Sequence, residues 1–485
     1  MNHLYFGIDV GTSSSKATVI DSFGNIISQT KVSNTLLNPT KGYFEVDPIN
    51  SWWNGFLKIC LDLKEFLPKI KSVCISSVCG SFVPTDEHFN PTYNAIMYGI
   101  DTRAIKQLNR MNQDYEEQEL NLRMGGKFTT HSVLPKILWI KENLPQVYQK
   151  SKYFLESNNF ITAKLTNTVA WDFPSAAAAR LVDSTTKTIP KDICEKYEID
   201  YTKIPNLKWP LSPLGKVTKK AAEETGLPQG ITVFTGACDV NAEALSTFSA
   251  FPGETICVFG STISMLHTMK EQKQLKGFIS GFSLLEDTYR LGAATSSGVR
   301  FLSKIDSFFN FTNHLDTKGI SPSPSGLLML PYIDGARTPF DDPKAKGTIY
   351  GINGQTDRDS IFLGSREALG YEIFLLINKI EKTGEKINII NCTGGLSENS
   401  SVMQIISNIT GKKLQIHEGI NASFGDGIIA LTSNYSLKEI INLPGIIKLR
   451  NNQKIITPEK EISKQYNSLT KQYLKLYPTL KTIEI

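Results

Sequence analysis

Three short stretches of this chain combine glycine, hydroxyl and carboxylate residues in a way that could handle phosphate. The first is Gly7-Ile8-Asp9-Val10-Gly11-Thr12-Ser13-Ser14-Ser15-Lys16. Phosphate is held by converging backbone N–H groups in glycine-rich turns, by hydroxyls and by one cationic side chain, and Mg2+ requires a hard carboxylate oxygen close by. This stretch offers all of these within one hairpin, and it reads equally as an ordinary hairpin with a polar turn. The second runs from Thr232 to Asp239, a strand emptying into a Gly-Ala turn with Asp239 at the start of a helix. An Asp there is a helix N-cap, a role compatible with catalysis because strand ends of α/β folds line clefts. The third is Thr393-Gly394-Gly395-Leu396-Ser397-Glu398-Asn399, between an apolar strand over 387–390 and a helix over 402–409. A glycine pair lets a flat or phosphorylated ligand approach the backbone, or simply makes a turn. No GxxxxGK[ST] and no strand-GxGxxG-helix occurs, so P-loop and dinucleotide devices are excluded.

The elements that must position these residues follow from periodicity. Apolar residues alternate at Leu4, Phe6, Ile8 and Val10, break at the polar turn and resume at Ala17, Val19 and Ile20. A further turn at 21–25 leads to Ile26-Ile27, which predicts a three-stranded meander with Asp9 and the turn at one sheet end. Asp47-Pro48 is a helix start, Asp as N-cap and Pro at the first position, followed by Trp52, Trp53, Phe56, Leu57, Cys60 and Leu63 at helical spacing. An apolar strand over 72–78 mixes strand with helix in α/β fashion, and a polar, helical portion is expected over 105–175.

The second half repeats the opening: a strand over 254–259, a Gly260-Ser261-Thr262 turn and a returning strand over 263–266. Two such hairpins suggest related domains facing one cleft. The boundary is expected near 246–253, giving domains at 1–248 and 249–485, with a Ser-Pro-Ser-Pro loop at 321–324 and an amphipathic helix in the Lys-rich tail from Leu449.

Length and composition set the outer bounds. At 485 residues, 40% hydrophobic, 20% charged and 10% aromatic, the chain is long enough for sizeable cores and unlike a disordered or low-complexity protein. Fifty-two basic against forty-seven acidic residues leave +5 without a dense Lys/Arg run, so no nucleic-acid partner is expected. No window supplies the ~18 apolar residues of a membrane span, no signal peptide is evident, and the seven scattered cysteines lack CxxC spacing. The expectation is a cytoplasmic protein with no membrane partner.

Taken together, the three sites and the doubled hairpin resemble the FGGY carbohydrate kinases of the actin-like ATPase superfamily. The resemblance runs from Tyr5 to about Leu431, and includes Glu45-Val46-Asp47-Pro48, Pro135-Lys136-Ile137-Leu138-Trp139, Tyr332-Ile333-Asp334-Gly335-Ala336-Arg337-Thr338-Pro339 and Lys346-Gly347-Thr348-Ile349-Tyr350-Gly351. It implies an α/β fold of two actin-like (ribonuclease H-like) domains with a central ATP and sugar cleft. It further implies ATP and Mg2+ as cofactors, a small sugar or polyol as substrate, a ketose such as xylulose or ribulose foremost, and leaves a homodimer open.

By the same resemblance Asp9 holds Mg2+, Gly11, Thr12, Ser13 and Lys16 approach the phosphates, and Asp239 is the general base. Gly260, Ser261 and Thr262 hold the transferring phosphoryl group, while Gly394, Gly395 and Asn399 border the adenosine. The chain departs from the family at several places. Cys79-Gly80 stands where its xylulose kinases carry Met-His or Gln-His and its glycerol kinases Arg-Glu. Tyr98-Gly99-Ile100-Asp101-Thr102-Arg103 resembles its Trp-x-Asp-x-Arg stretch with Tyr for Trp and one extra residue, which makes Asp101 a sugar contact. His131 takes the place of a substrate-touching Tyr, Val133 and Ser360 depart from its two signatures, and Gly260-Ser261 replaces Gly-Thr. The rival functions are a catalytically silent sugar or nucleotide sensor of the same fold and an actin-like ATPase acting on protein partners.

Overall fold

The opening alternation folds as expected in the computed structural model, which describes residues 3–311 and 324–483. Strands β1 (Leu4–Val10) and β2 (Ser14–Asp21) pair antiparallel with Asp9 opposite Lys16, and β3 (Ile26–Ser33) continues the meander. Strand β4 (Ile70–Ser77) lies parallel to β1, and β5 (Thr232–Phe234) and β6 (Ala237–Cys238) both lie parallel to β4. Within this seven-stranded sheet the order runs β5-β4-β1-β2-β3, with Pro213–Lys216 outside β5, and every residue of β1 is buried. A parallel strand covered on both faces loses its alternation to a continuous apolar run, which Tyr5 and the tolerated Gly7 reflect.

Helix α1 (Asn54–Asp62) is entered through a π-helical turn, Pro48–Trp53. Asp47 caps it, accepting from the N–H groups of Ile49 and Asn50, a contact worth about 1 kcal/mol. Trp53 stacks on Phe56 at 5.7 Å between ring centres, and both join the first core with Phe6, Ile8 and Val73. The middle portion is helical and mixed in polarity: the helices Ile105–Gln113 and Glu117–Met124 are polar as expected and bury two residues each. Helix α2 (Val133–Asn143) buries eight residues from Val133 to Ile140, and the strand Tyr153–Glu156 interrupts the run. Helix α3 (Asp239–Ser246) follows β6 directly.

The second unit repeats the plan. Strands β7 (Thr255–Phe259), β8 (Ile263–Met269) and β9 (Tyr289–Ala294) are antiparallel neighbours, and β10 (Ile389–Thr393) and β11 (Lys413–Ile416) continue the sheet in parallel from β7. The order β9-β8-β7-β10-β11 is that of β3-β2-β1-β4-β5, so the doubled hairpin belongs to a doubled sheet topology. Helices α4 (Arg358–Glu381) and α5 (Ser400–Thr410) cover it. Helix α6 (Ala422–Leu431) packs instead with the first sheet: Ser72 Oγ donates to the Ala430 carbonyl and Ser76 Oγ to Asp426, each at 2.6 Å.

A single cut at 248 therefore does not describe the packing. One compact unit comprises residues 1–250, 281–288 and 420–451, and the other 251–280, 289–419 and 452–485. The chain returns to the first sheet because β1 and β4, buried on both sides, require a second covering helix. The Ser-Pro-Ser-Pro loop lies outside the described residues apart from Pro324.

The expected tail helix is α7 (Lys460–Leu480), amphipathic with Tyr466, Thr470, Tyr473 and Tyr477 buried. Its Tyr473 and also Tyr332 donate to Glu372 Oε1 at 2.9 and 2.8 Å. Burial raises the Glu372 carboxyl to about 7, against the opposing pull of the two hydroxyls. A carboxyl raised on folding contributes stability that is complete below its unfolded value of about 4.5 and lost as pH rises through 7. Comparing Glu372→Gln with the unmodified chain at pH 5 and pH 8 by chemical denaturation, the stability difference is expected to move by about 3 kcal/mol in favour of Gln at pH 8.

Candidate active site

Three parallel strands of the first unit, β1, β4 and β6, end side by side, and Asp9, the turn at Gly11 to Ser13, Lys16 and Asp239 gather there. A strand end in an α/β sheet carries side chains and loop N–H groups out beyond the core. The turn after β1 is closed by a Gly11 N–H to Ser14 carbonyl bond of 3.1 Å, and Asn34 braces it by donating to the Gly11 carbonyl at 2.6 Å. Gly11 and Thr12 are half-buried and Ser13 is exposed, so the turn presents its polar groups outward. Thr12 Oγ1 donates to the Tyr98 hydroxyl at 3.4 Å, and the Tyr98 ring lies 5.6 Å from that of His131. The phosphate turn and the expected sugar stretch are thus physically joined.

Asp239 reaches this edge through a glycine. Gly236 has φ +91°, and a Cβ there would overlap the Ile75 carbonyl oxygen, so only glycine lets the chain break β5 from β6 and remain against β4. The N-cap of α3 is Cys238, not Asp239. Asp239 is the first helical residue, half-buried, and its Oδ1 accepts the Val240 N–H at 2.7 Å.

Asp9 is 8% exposed, and its Oδ1 has no hydrogen-bond partner. Burial first, and then the charge of Asp239, raise its carboxyl to about 8, with Glu243 adding to the rise and Lys16 opposing it. A buried acid repelled by two others, with one oxygen unsatisfied, is a suitable ligand for a hard divalent cation, which would supply the missing partner and neutralise the repulsion. These residues fit Mg2+, with Asp9 as the holding carboxylate. Among the described residues no group of three His, Cys, Asp or Glu is arranged to enclose a metal, as suits an ion that keeps waters and phosphate oxygens as its other ligands.

Asp101, expected as a sugar contact, is 1% exposed. Arg103 grips both of its oxygens at 2.8 to 3.0 Å, and the Phe44 N–H donates to Oδ2 at 2.7 Å. Arg103 also pairs with Glu45 at 2.9 Å and lies over the rings of Tyr43 and Trp139. The Glu45, Asp101 and Trp139 motifs therefore close one buried box that holds Tyr98 and its neighbours in place. Asp101 positions the stretch; its carboxylate is fully engaged.

In the second unit, Gly260, Ser261 and Thr262 form the β7–β8 turn, with Ser261 and Thr262 exposed. The Gly260 and Ser261 carbonyls accept the Val299 and Arg300 N–H groups. Gly394 and Gly395 end the adjacent strand β10. Gly394 has φ +90°, with a Cβ position only 2.5 Å from the Phe259 carbonyl oxygen, so the turn lies flat against the end of β7. Asn399 is the N-cap of α5, accepting from the Val402 N–H at 2.8 Å.

Sequence reasoning missed Glu156 and Glu243. Glu156 is buried and accepts the Gly80 N–H at 2.7 Å, which fixes the Cys79-Gly80 turn. Burial, with the charge of Asp172 second, holds its carboxyl well above the usual range. Its place in a buried strand gave no signal, whereas Glu243, four residues after Asp239 on a helix, could have been read from spacing.

Comparison with known proteins agrees with this geometry. The FGGY family of carbohydrate kinases matches with its N-terminal domain over residues 4–246 and its C-terminal domain over 303–432. A xylulose kinase of Lactococcus lactis is 26% identical over 97% of this chain and 98% of its own. A gluconokinase of Bacillus subtilis is 21% identical over 98% and 96%. The crystal structure of xylulose kinase from Rhodospirillum rubrum superposes with a TM-score of 0.90 at 20% identity, covering 99% of both chains. No helix among the described residues is long and apolar enough to cross a membrane. The chain belongs to the FGGY family of carbohydrate kinases and phosphorylates a sugar with ATP.

Proposed function

We propose that this kinase transfers the γ-phosphoryl group of ATP to a hydroxyl of a small ketose or polyol, xylulose and ribulose foremost, with Asp239 as the general base and Mg2+ held at Asp9. The observation that carries the reading is the pairing of a half-buried Asp239 with the unsatisfied, buried Asp9 at one sheet edge. The xylulose kinases among its relatives support the acceptor class.

A free Asp carboxyl, at about 3.9, is far less basic than an alkoxide. Asp239 therefore orients the acceptor hydroxyl toward the phosphorus and takes its proton late, once the new P–O bond is largely formed. The N–H groups and hydroxyls of 11–13, with Lys16, receive the polyphosphate. When bound, Mg2+ offsets the charge spread over the phosphoryl oxygens. The adenosine is assigned to the turn at Gly394 and Gly395, whose backbone is open on the Gly395 side.

ADP release with Mg-ATP across ketopentoses, ketohexoses, pentitols, glycerol and aldonates tests the proposal. One acceptor is expected to raise turnover by roughly 100-fold or more over water. Sugar binding without any ADP release would instead favour the sensor.

A further inference from the structure

We infer that the Arg180 guanidinium recognises a carboxylate on the sugar, so that the acceptor is a polyhydroxy acid, an aldonic or keto-aldonic acid, in preference to a neutral ketose. The inference rests on the kinase reading above and departs from it in the acceptor alone, an acid in place of the neutral ketose.

Arg180 is 9% exposed, and it is anomalous in two independent respects. Its φ is +59°, a left-handed conformation that a long side chain adopts only when its surroundings impose it. Its charge is also unanswered. Nη1 donates to the Met124 carbonyl at 2.8 Å, and no carboxylate among the described residues forms an ion pair with it. Two other buried guanidiniums behave differently: Arg103 meets Asp101 and Glu45, and Arg366 meets Asp306. A buried cation without a counter-charge is costly to keep unless an anion arrives to pair with it.

Its location selects the anion. The Cys79 thiol donates to the Ser175 carbonyl at 3.4 Å and the Val133 N–H to the Ala179 carbonyl at 3.0 Å, which sets the Arg180 segment beside Cys79 and the residues after His131. Cys79 adjoins Gly80, which lies beneath the His131 carbonyl, and His131 packs on Tyr98. The Arg180 guanidinium thus lies beside the stretch where the sugar is expected. At the Nη2 edge Gly126 supplies no side chain, and a Cβ there would come within 2.8 Å. A planar guanidinium edge with free N–H groups matches a carboxylate in a bidentate manner.

The test compares full-length protein with Arg180→Gly and Arg180→Lys, measuring binding of D-gluconate, D-xylonate, D-xylulose and xylitol by calorimetry and ADP release with Mg-ATP. Glycine accepts the left-handed backbone, so Arg180→Gly is expected to fold with an unchanged or higher melting temperature. It should weaken an aldonate by roughly 10- to 100-fold, the loss of a charge-assisted hydrogen bond, and a neutral sugar by less than about threefold. Arg180→Lys should retain part of the aldonate affinity. Unchanged aldonate affinity in Arg180→Gly, or turnover of neutral sugars with no response to the acids, overturns the inference and leaves the kinase reading standing. Arg180-dependent aldonate binding without ADP release from any acceptor upholds the inference and removes the kinase reading. A chain that neither binds nor phosphorylates any of the four loses both.

Discussion

Asp239→Asn lowers kcat by roughly 100- to 10,000-fold while ATP affinity stays within about threefold of the unmodified enzyme. The asparagine oxygen can still accept the Val240 N–H, so the start of α3 and the turn at Gly236 are preserved. Only the negative charge and the proton acceptor are removed. ATP affinity is spared because the nucleotide's proposed contacts lie on other residues, and losing an anion near a polyphosphate does not weaken its binding. ADP release and calorimetry with a non-hydrolysable nucleotide separate the two quantities. Wild-type turnover in this variant would remove Asp239 from the base role, and a parallel collapse of nucleotide affinity would make it a structural residue of the phosphate site.

Asp9→Asn is expected to act in opposite directions on stability and on metal binding. In the metal-free protein, burial and the charges of Asp239 and Glu243 hold the Asp9 carboxyl up at about 8. A carboxyl raised from about 3.8 costs stability progressively as pH climbs from 4 to 8, at roughly 1.4 kcal/mol per unit. A neutral asparagine escapes that cost, so the metal-free variant at pH 7.5 should be more stable by an amount on the order of 5 kcal/mol. At pH 4 the two proteins should melt together. Divalent cation affinity, read from Mn2+ resonance in the presence of nucleotide, should fall at least about tenfold, and turnover with it. An unchanged cation affinity would place the metal elsewhere.

The meander, the Asp47 cap, the returning hairpin at 255–269 and the tail helix were all legible, because each follows from local periodicity or from residues that cap and turn the chain. The polarity expected of 105–175 holds for the helices over 105–124 and fails at α2, because composition over a window does not tell which helix is covered. Helix α2 carries Lys136 and is buried from Val133 to Ile140, the ammonium taken up by the Met97 carbonyl. The single cut at 248 missed the return of residues 420–451 to the first unit, since nothing local to α6 reveals which sheet it will cover.

By itself the sequence determined the kind of chemistry. Glycine-hydroxyl turns at strand ends with Asp9, Asp239 and Lys16 are local arrangements, and their ordered combination pointed to a family and a phosphoryl transfer. Only the tertiary structure decided which charged residues are satisfied. Asp101 is consumed by Arg103, Asp9 keeps an oxygen unpaired, and Arg180 is left without an acid. Pairing and burial are properties of groups far apart in the chain, and the same carboxylate is a ligand or a strut according to what folding brings beside it.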